Sequence, residues 1–224
     1  MTDVVEDWAL HELHFSSDRL VPYLAEANGD REHAMALYRW DADMRAAFLT
    51  PLGHLEVGLR NALDRQLTIR QDRFAGPRHW VFDDARQLGR DANGPGCHLP
   101  PYVVIAAAIK HVQVNHKPLD PAQIISELPF GFWHQLVSKR QTFLWPDLAG
   151  GFPNAPSRSV APIRDRFSRL RMLRNRIGHH HRVGGVNLPG RYADLLTLAG
   201  YIDPDLCDWI DLHARVITTI AKRP

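Results

Sequence analysis

Residues 163–183 read IRDRFSRLRMLRNRIGHHHRV, and the fold class turns on their periodicity. Each residue advances about 100° around an α-helix. On that projection Ile163, Phe167, Leu170, Leu173 and Ile177 share one face, the stripe of an amphipathic helix packed on a core. Ser159 suits the N-cap, Pro162 the first turn, and Gly178 the end. Arg174 projects into the same stripe, between Ile163 and Phe167, whereas Arg164, Arg169, Met172, Asn175 and Arg176 point elsewhere. An arginine on a core face needs a partner, because an unpaired buried charge is costly.

Working outward, the helical pattern repeats and strand alternation is nearly absent, which predicts an all-α protein. A first helix is expected from Ser16, Ser17 or Asp18 to just before Gly29, and a second from near Asp30 towards Phe48. Thr50-Pro51 then reads as N-cap and first-turn proline of a new helix, with Leu52, Leu55, Leu59, Leu63 and Leu67 as its stripe. Glu56 falls within that stripe and Arg60 at its edge. A Glu56–Arg174 pair is therefore expected, with Arg60 competing for the carboxylate. The other reading is that both side chains snorkel from the stripe's edge.

Residues 71–99 are rich in Gly, Pro, Asn and Asp and read as an insertion loop with at most a short helix around Asp84–Gly89. Helices are expected after Pro100-Pro101 and after the Asp120-Pro121 cap, with short ones in FGFWHQLVSK and RQTFLW and a loop over 146–157. HHHRVGGVNLPG is a break. A C-terminal helical hairpin follows, turning at Tyr201–Pro204. The loops fall inside the pattern, so residues 1–224 read as one domain.

With 224 residues, 45% apolar and 23% charged, the composition is that of a globular chain able to bury a core. No apolar run reaches the roughly 18 residues of a spanning helix, and MTDVVEDWALHELHF lacks a signal peptide's basic start. Cytoplasmic location and no membrane partner are the expectations. Cys97 and Cys207 are too few and too far apart for a disulfide scaffold or a cysteine zinc site. No phosphate-cradling glycine loop or GxSxG nucleophile motif occurs, and no cofactor is expected.

Net charge is only +2, but its distribution is uneven. Between Leu148 and Ala193 the only acid is Asp165, against nine arginines and His179, His180 and His181. Such a stripe suits a polyanion, although a charge run alone more often marks a solvated face. Chemistry sharpens it. A histidine just past Gly178 is free of the helix's angular register and can reach the space of Arg174. Imidazole can take a proton from a ribose 2′-OH, and guanidinium can hold a phosphate through paired hydrogen bonds. Asn175 adds an orienting amide, while Arg171, Arg176, His180 and Arg182 are the expected RNA contacts. Neither role needs a metal, and three adjacent histidines diverge, so no metal site is expected. His11, His14, His111 and His116 read as ordinary polar positions, and Trp133, Trp145 and Trp209 as core anchors.

LRMLRNRIGHHHRV (170–183) resembles the signature helix of HEPN domains: Arg174, four intervening residues beginning with Asn175, then His179. LGHLEVGLRNALDRQL (52–67), FGFWHQLVSKRQTFLW (130–145) and YADLLTLAGYIDPDLCDWIDLHARV (192–216) resemble blocks of the Abi-like group in the same order. The spacing alone is weak; the order of four blocks is more specific. The chain departs from that pattern with Gly178 where Ala is usual and His181-Arg182 where Glu-Pro is usual. The resemblance implies a HEPN-like helical bundle with an added C-terminal hairpin. It implies a metal-independent endoribonuclease with Arg174, His179 and Asn175 at a site composite across a homodimer. Glu56 and Arg60 would support them. It further implies toxin-like RNA cleavage in abortive infection against phage. The alternatives are a non-catalytic module holding RNA or protein, and a structural or regulatory subunit neutralised by an antitoxin or other partner.

Overall fold

The computed structural model describes residues 8–74 and 78–224. Residues 1–7, within the acidic N-terminus, and 75–77, within the predicted insertion loop, lie outside them. Every regular element among the described residues is helical, as the periodicity predicts.

The chain opens with α1 (Trp8–Phe15) and α2 (Ser17–Glu26). The second matches the first predicted helix; α1 has no counterpart in the sequence pattern. Asp30 then caps α3 (Arg31–Asp72) by accepting the N–H groups of Glu32 and His33. This helix is 42 residues long, and it corrects the sequence reading at Thr50-Pro51. No new helix starts there. Pro51 sits inside α3 and is buried, although proline in a helix interior costs about 3 kcal/mol. The buried residues Met44, Phe48, Leu52, Leu55 and Leu59 keep their phase straight through it, so core packing outweighs the local stop signal.

The stretch after α3 is mostly turns. Its short 3₁₀ turn is Trp80–Phe82, not the predicted Asp84–Gly89. Asp83 organises the next seven residues: its buried carboxylate accepts the N–H groups of Gln87, Leu88 and Arg90 at 2.8–2.9 Å. That cage removes the donors a helix over 84–89 would use for itself. Next come α4 (Tyr102–Val114), α5 (Pro121–Ser126), with Asp120 capping as expected, and α6 (Phe130–Leu136). A 3₁₀ stretch, Lys139–Leu144, leads into α7 (Trp145–Leu148) and a further turn at Ala149–Gly151. The predicted loop over 146–157 is thus partly helical.

Helix α8 (Ala161–Gly178) carries the predicted stripe, with Ile163, Phe167, Leu170, Leu173 and Ile177 all buried. Val160 occupies its N-cap without a side-chain bond, while Ser159 Oγ accepts the Ala161 N–H at 3.3 Å. The C-terminal hairpin is α9 (Leu188–Ile202) and α10 (Pro204–His213). Ala214 turns extended, with ψ 146°, and separates a short α11 (Val216–Ile220). Trp133 is fully buried, but Trp209 is 46% exposed and lies edge-on to His54, so it is no core anchor.

Helix α3 is the spine. It touches α2, α6, α7, α8, α9, α10 and α11, and its long stripe supplies one wall of the main core. Helix α8 packs between α6 and α9 with its C-terminal end beside the first half of α3. A smaller cluster, including Leu20, Tyr23, Met35 and Leu37, fastens α2 to the start of α3. No helix among the described residues is long and apolar enough to cross a membrane.

Candidate functional site

The C-terminal end of α8 shows how the three histidines are presented. His179 is the C-cap, and its N–H still donates to Asn175 O. His180 has φ +54°, the left-handed conformation usually filled by glycine at this position. The N–H of His180 returns to Ile177 O at 3.0 Å and that of His181 to Arg176 O at 2.8 Å. These two bonds make a Schellman turn, which satisfies the last carbonyls of the helix.

The turn is clamped from outside. Arg19 of α2 and Arg45 of α3 each donate an Nη1 hydrogen bond to the His180 carbonyl at 2.8 Å. Asp41, with no solvent exposure, accepts the N–H groups of Val183 and Gly184 at 2.8 Å each and faces Arg45 Nε at 3.5 Å. Its neighbour Tyr23 is pushed well above the usual tyrosine range, by burial first and then by the Asp41 charge. Arg182 pairs with Glu26, donates to Pro22 O and stacks over Tyr23 at 4.9 Å. Arg176 donates to the Arg182 carbonyl through Nε and Nη2. Histidines on a free-swinging loop would have to be ordered when a substrate binds; this turn is ordered beforehand.

Arg174, Asn175 and His179 are all exposed at this end. Arg174 Nη1 lies 3.6 Å from the position a Cβ on Gly178 would occupy, so the guanidinium reaches along α8 towards the histidine turn. The rings of His179 and His181 lie 5.8 Å apart. The His180 carbonyl joins the clamp while its side chain is exposed, and Arg182 is engaged with α2.

The expected Glu56–Arg174 pair is corrected in part. Arg174 is exposed rather than buried, and the two charges form no ion pair within 4.0 Å among the described residues. They are nevertheless neighbours. Burial raises the half-buried Glu56 carboxyl above the usual range, while Arg174, then Arg60, then the Phe130 N–H pull it back. Arg174 leaves the core because the buried face of α8 swings. Taking Ile163 as zero, Phe167 and Leu170 project at about +40° and −20°, but Leu173 and Ile177 at about −80° and −40°. Arg174, at about +20°, is left at the edge of the final turn.

Part of the arginine stripe is engaged by acids. Arg166, Arg169 and Arg191 all approach Asp194, with Arg169 bound through two nitrogens, and Arg164 pairs with Asp165. Arg171 stays half-buried beside His134, whose pKa is lowered by burial first, then by Arg171 and Arg164. Sequence reasoning passed over Asp41, Arg45 and Arg19. Asp41 carried a readable signal: it lies between Leu37 and Met44 on the core face of α3, the same anomaly that drew attention to Glu56. Arg19 and Arg45 act on a backbone carbonyl, for which no sequence pattern exists.

Among the described residues no three His, Cys, Asp or Glu side chains gather as a metal site would need. The chain matches no protein-family model, no curated protein and no solved structure.

Proposed function

We propose that the chain is an endoribonuclease of HEPN type, of the Abi-like group, cleaving single-stranded RNA without a metal at Arg174 and His179. The observation that supports this most is the exposed Arg174 guanidinium lying over Gly178, one residue from the clamped histidine turn. In this reading Arg174 supplies the cation for the phosphate and His179 the imidazole for the proton, and both residues are exposed.

In the reaction His179 takes the proton of a ribose 2′-OH. The 2′-oxygen bonds to the adjacent phosphorus, the bond to the 5′-oxygen breaks, and Arg174 offsets the charge that builds on the phosphoryl oxygens. The leaving oxygen takes a proton from the same histidine of a second copy, which leaves a cyclic phosphate and a 5′-OH. Asn175 orients the phosphate. The site is open on one chain, as a site shared across a homodimer would be. Action in the cytoplasm as an abortive-infection toxin restrained by a neutralising partner completes the proposal.

The test is purified protein on single-stranded RNA with a chelator present. Cyclic-phosphate ends that disappear with Arg174→Ala and His179→Ala, by about 10²-fold or more, support the reading. Cleavage that both variants retain contradicts it. A second reading, a non-catalytic RNA- or protein-binding module, is favoured by the placement of the 850 Å³ cleft of this protein at other residues. RNA retained without any cleavage by wild type would select it.

A further inference from the structure

A cleft of about 850 Å³ opens between the first half of α3 and the segment from His213 to the last residues. It stands apart from the histidine turn. Asp43 of the cleft and Arg45 of the clamp differ by two residues, which turns their side chains about 200° apart around α3. Its size lies within the range of about 300–1,000 Å³ typical of small-ligand sites.

Two features set its chemistry. The first is charge: Arg215 and Lys222 line it beside one acidic side chain, Asp43, with His213 at its wall. Elsewhere cations are drawn onto carboxylates, as Arg166, Arg169 and Arg191 are onto Asp194 and Arg182 and Arg223 onto Glu26. Arg215 and Lys222 have no carboxylate within 4.0 Å among the described residues, and both are exposed. The second is a fixed wall. The buried Trp40 donates its indole N–H to Thr219 O at 2.8 Å and is covered by Arg223 at 4.9 Å, which ties α3 to α11 and holds the two sides of the cleft together. A concave space of this size with surplus positive charge suits a phosphate-bearing ligand.

We propose that this cleft binds a phosphorylated ligand of nucleotide size, with its phosphate against Arg215 and Lys222. The site is independent of the ribonuclease reading and needs no part of it. The phosphate can belong to a free nucleotide or to a nucleotide within an RNA strand.

The probes are a fluorescent ADP analogue, inorganic phosphate and a short single-stranded oligoribonucleotide. Saturable binding of the analogue at one site per chain, with phosphate competing, is expected. Arg215→Ala and Lys222→Ala should each weaken it about tenfold, the scale of one charge-assisted hydrogen bond. Asp43→Asn should leave it as tight or tighter, and Arg174→Ala and His179→Ala should not change it. If the oligoribonucleotide competes and depends on Arg215 and Lys222, the phosphate is that of RNA; if only the analogue does, it is that of a free nucleotide. Absence of saturable binding, indifference to the Arg215→Ala/Lys222→Ala double variant, or loss on Arg174→Ala overturns the proposal. Circular dichroism of the exposed-site variants checks that their fold is unchanged.

Discussion

Arg45 donates to the carbonyl of His180 at 2.8 Å, and so joins the long spine helix to the middle of the three histidines. The same guanidinium faces the buried Asp41 at 3.5 Å. Arg45→Ala would strip the carboxylate of its cation and the carbonyl of one donor. Removing one partner of a buried pair costs about 3–5 kcal/mol, and an outcome near the lower figure is expected because the two Asp41 backbone contacts survive. Urea denaturation reads the loss. Arg45→Lys should recover part of it, and an Arg45→Ala variant as stable as wild type would mean that the clamp is not a support.

The left-handed backbone at His180 costs about 1–2 kcal/mol for a residue with a side chain. His180→Gly should therefore stabilise the chain by about 1 kcal/mol. RNA cleavage should survive, since the His180 contacts that hold the turn are all made by its backbone. A fall in RNA affinity without a fall in stability would instead show that the His180 ring meets the substrate.

Gly178 is helical and has ordinary contact room for a methyl group, the nearest atom being Arg174 Nη1 at 3.6 Å. Gly178→Ala should raise stability by about 0.4–1 kcal/mol through the unfolded chain's lost freedom. Thermal denaturation checks it, and destabilisation would mean that Arg174 presses on the turn too closely to admit a methyl group.

Burial, then Arg171, then Arg164 hold the His134 imidazole below its ordinary value of 6.5. Acidification through that value protonates the unfolded chain first, so stability falls with pH until the lower, folded value has been passed. His79, lowered by burial against the opposing pull of Asp64, acts in the same direction. Urea midpoints should therefore drop between about pH 7 and pH 5. His134→Gln should flatten that slope, and an unchanged slope would mean that other groups carry the dependence.

Legibility in the sequence varies by residue. The stripe of α8 and the Asp120 cap could be read because periodicity and capping are local rules, and packing agreed with them. Pro51 misled because a local stop signal competed with a stripe running from Met44 to Leu59; following the stripe's phase across the proline would have found one helix. Asp83 was illegible, since its three bonds go to backbone N–H groups that only the folded loop brings together. At the site, Arg174, Asn175 and His179 were singled out by chemistry, and all three are exposed at the C-terminal end of α8. The depth of Arg174 was misjudged because a single projection hides the slow swing of the buried face. Asp41 could have been flagged by its place on a core stripe, but nothing in the sequence ties it to Val183 and Gly184, 142 and 143 residues away.

The most direct measurement compares growth and RNA integrity in cells expressing wild type or His179→Ala from an inducible promoter, with folding of both checked. The proposed function predicts that wild type arrests growth and fragments RNA, and that the variant does neither. If both are harmless, or both equally toxic, Arg174 and His179 are not a working nuclease site and the binding reading takes its place.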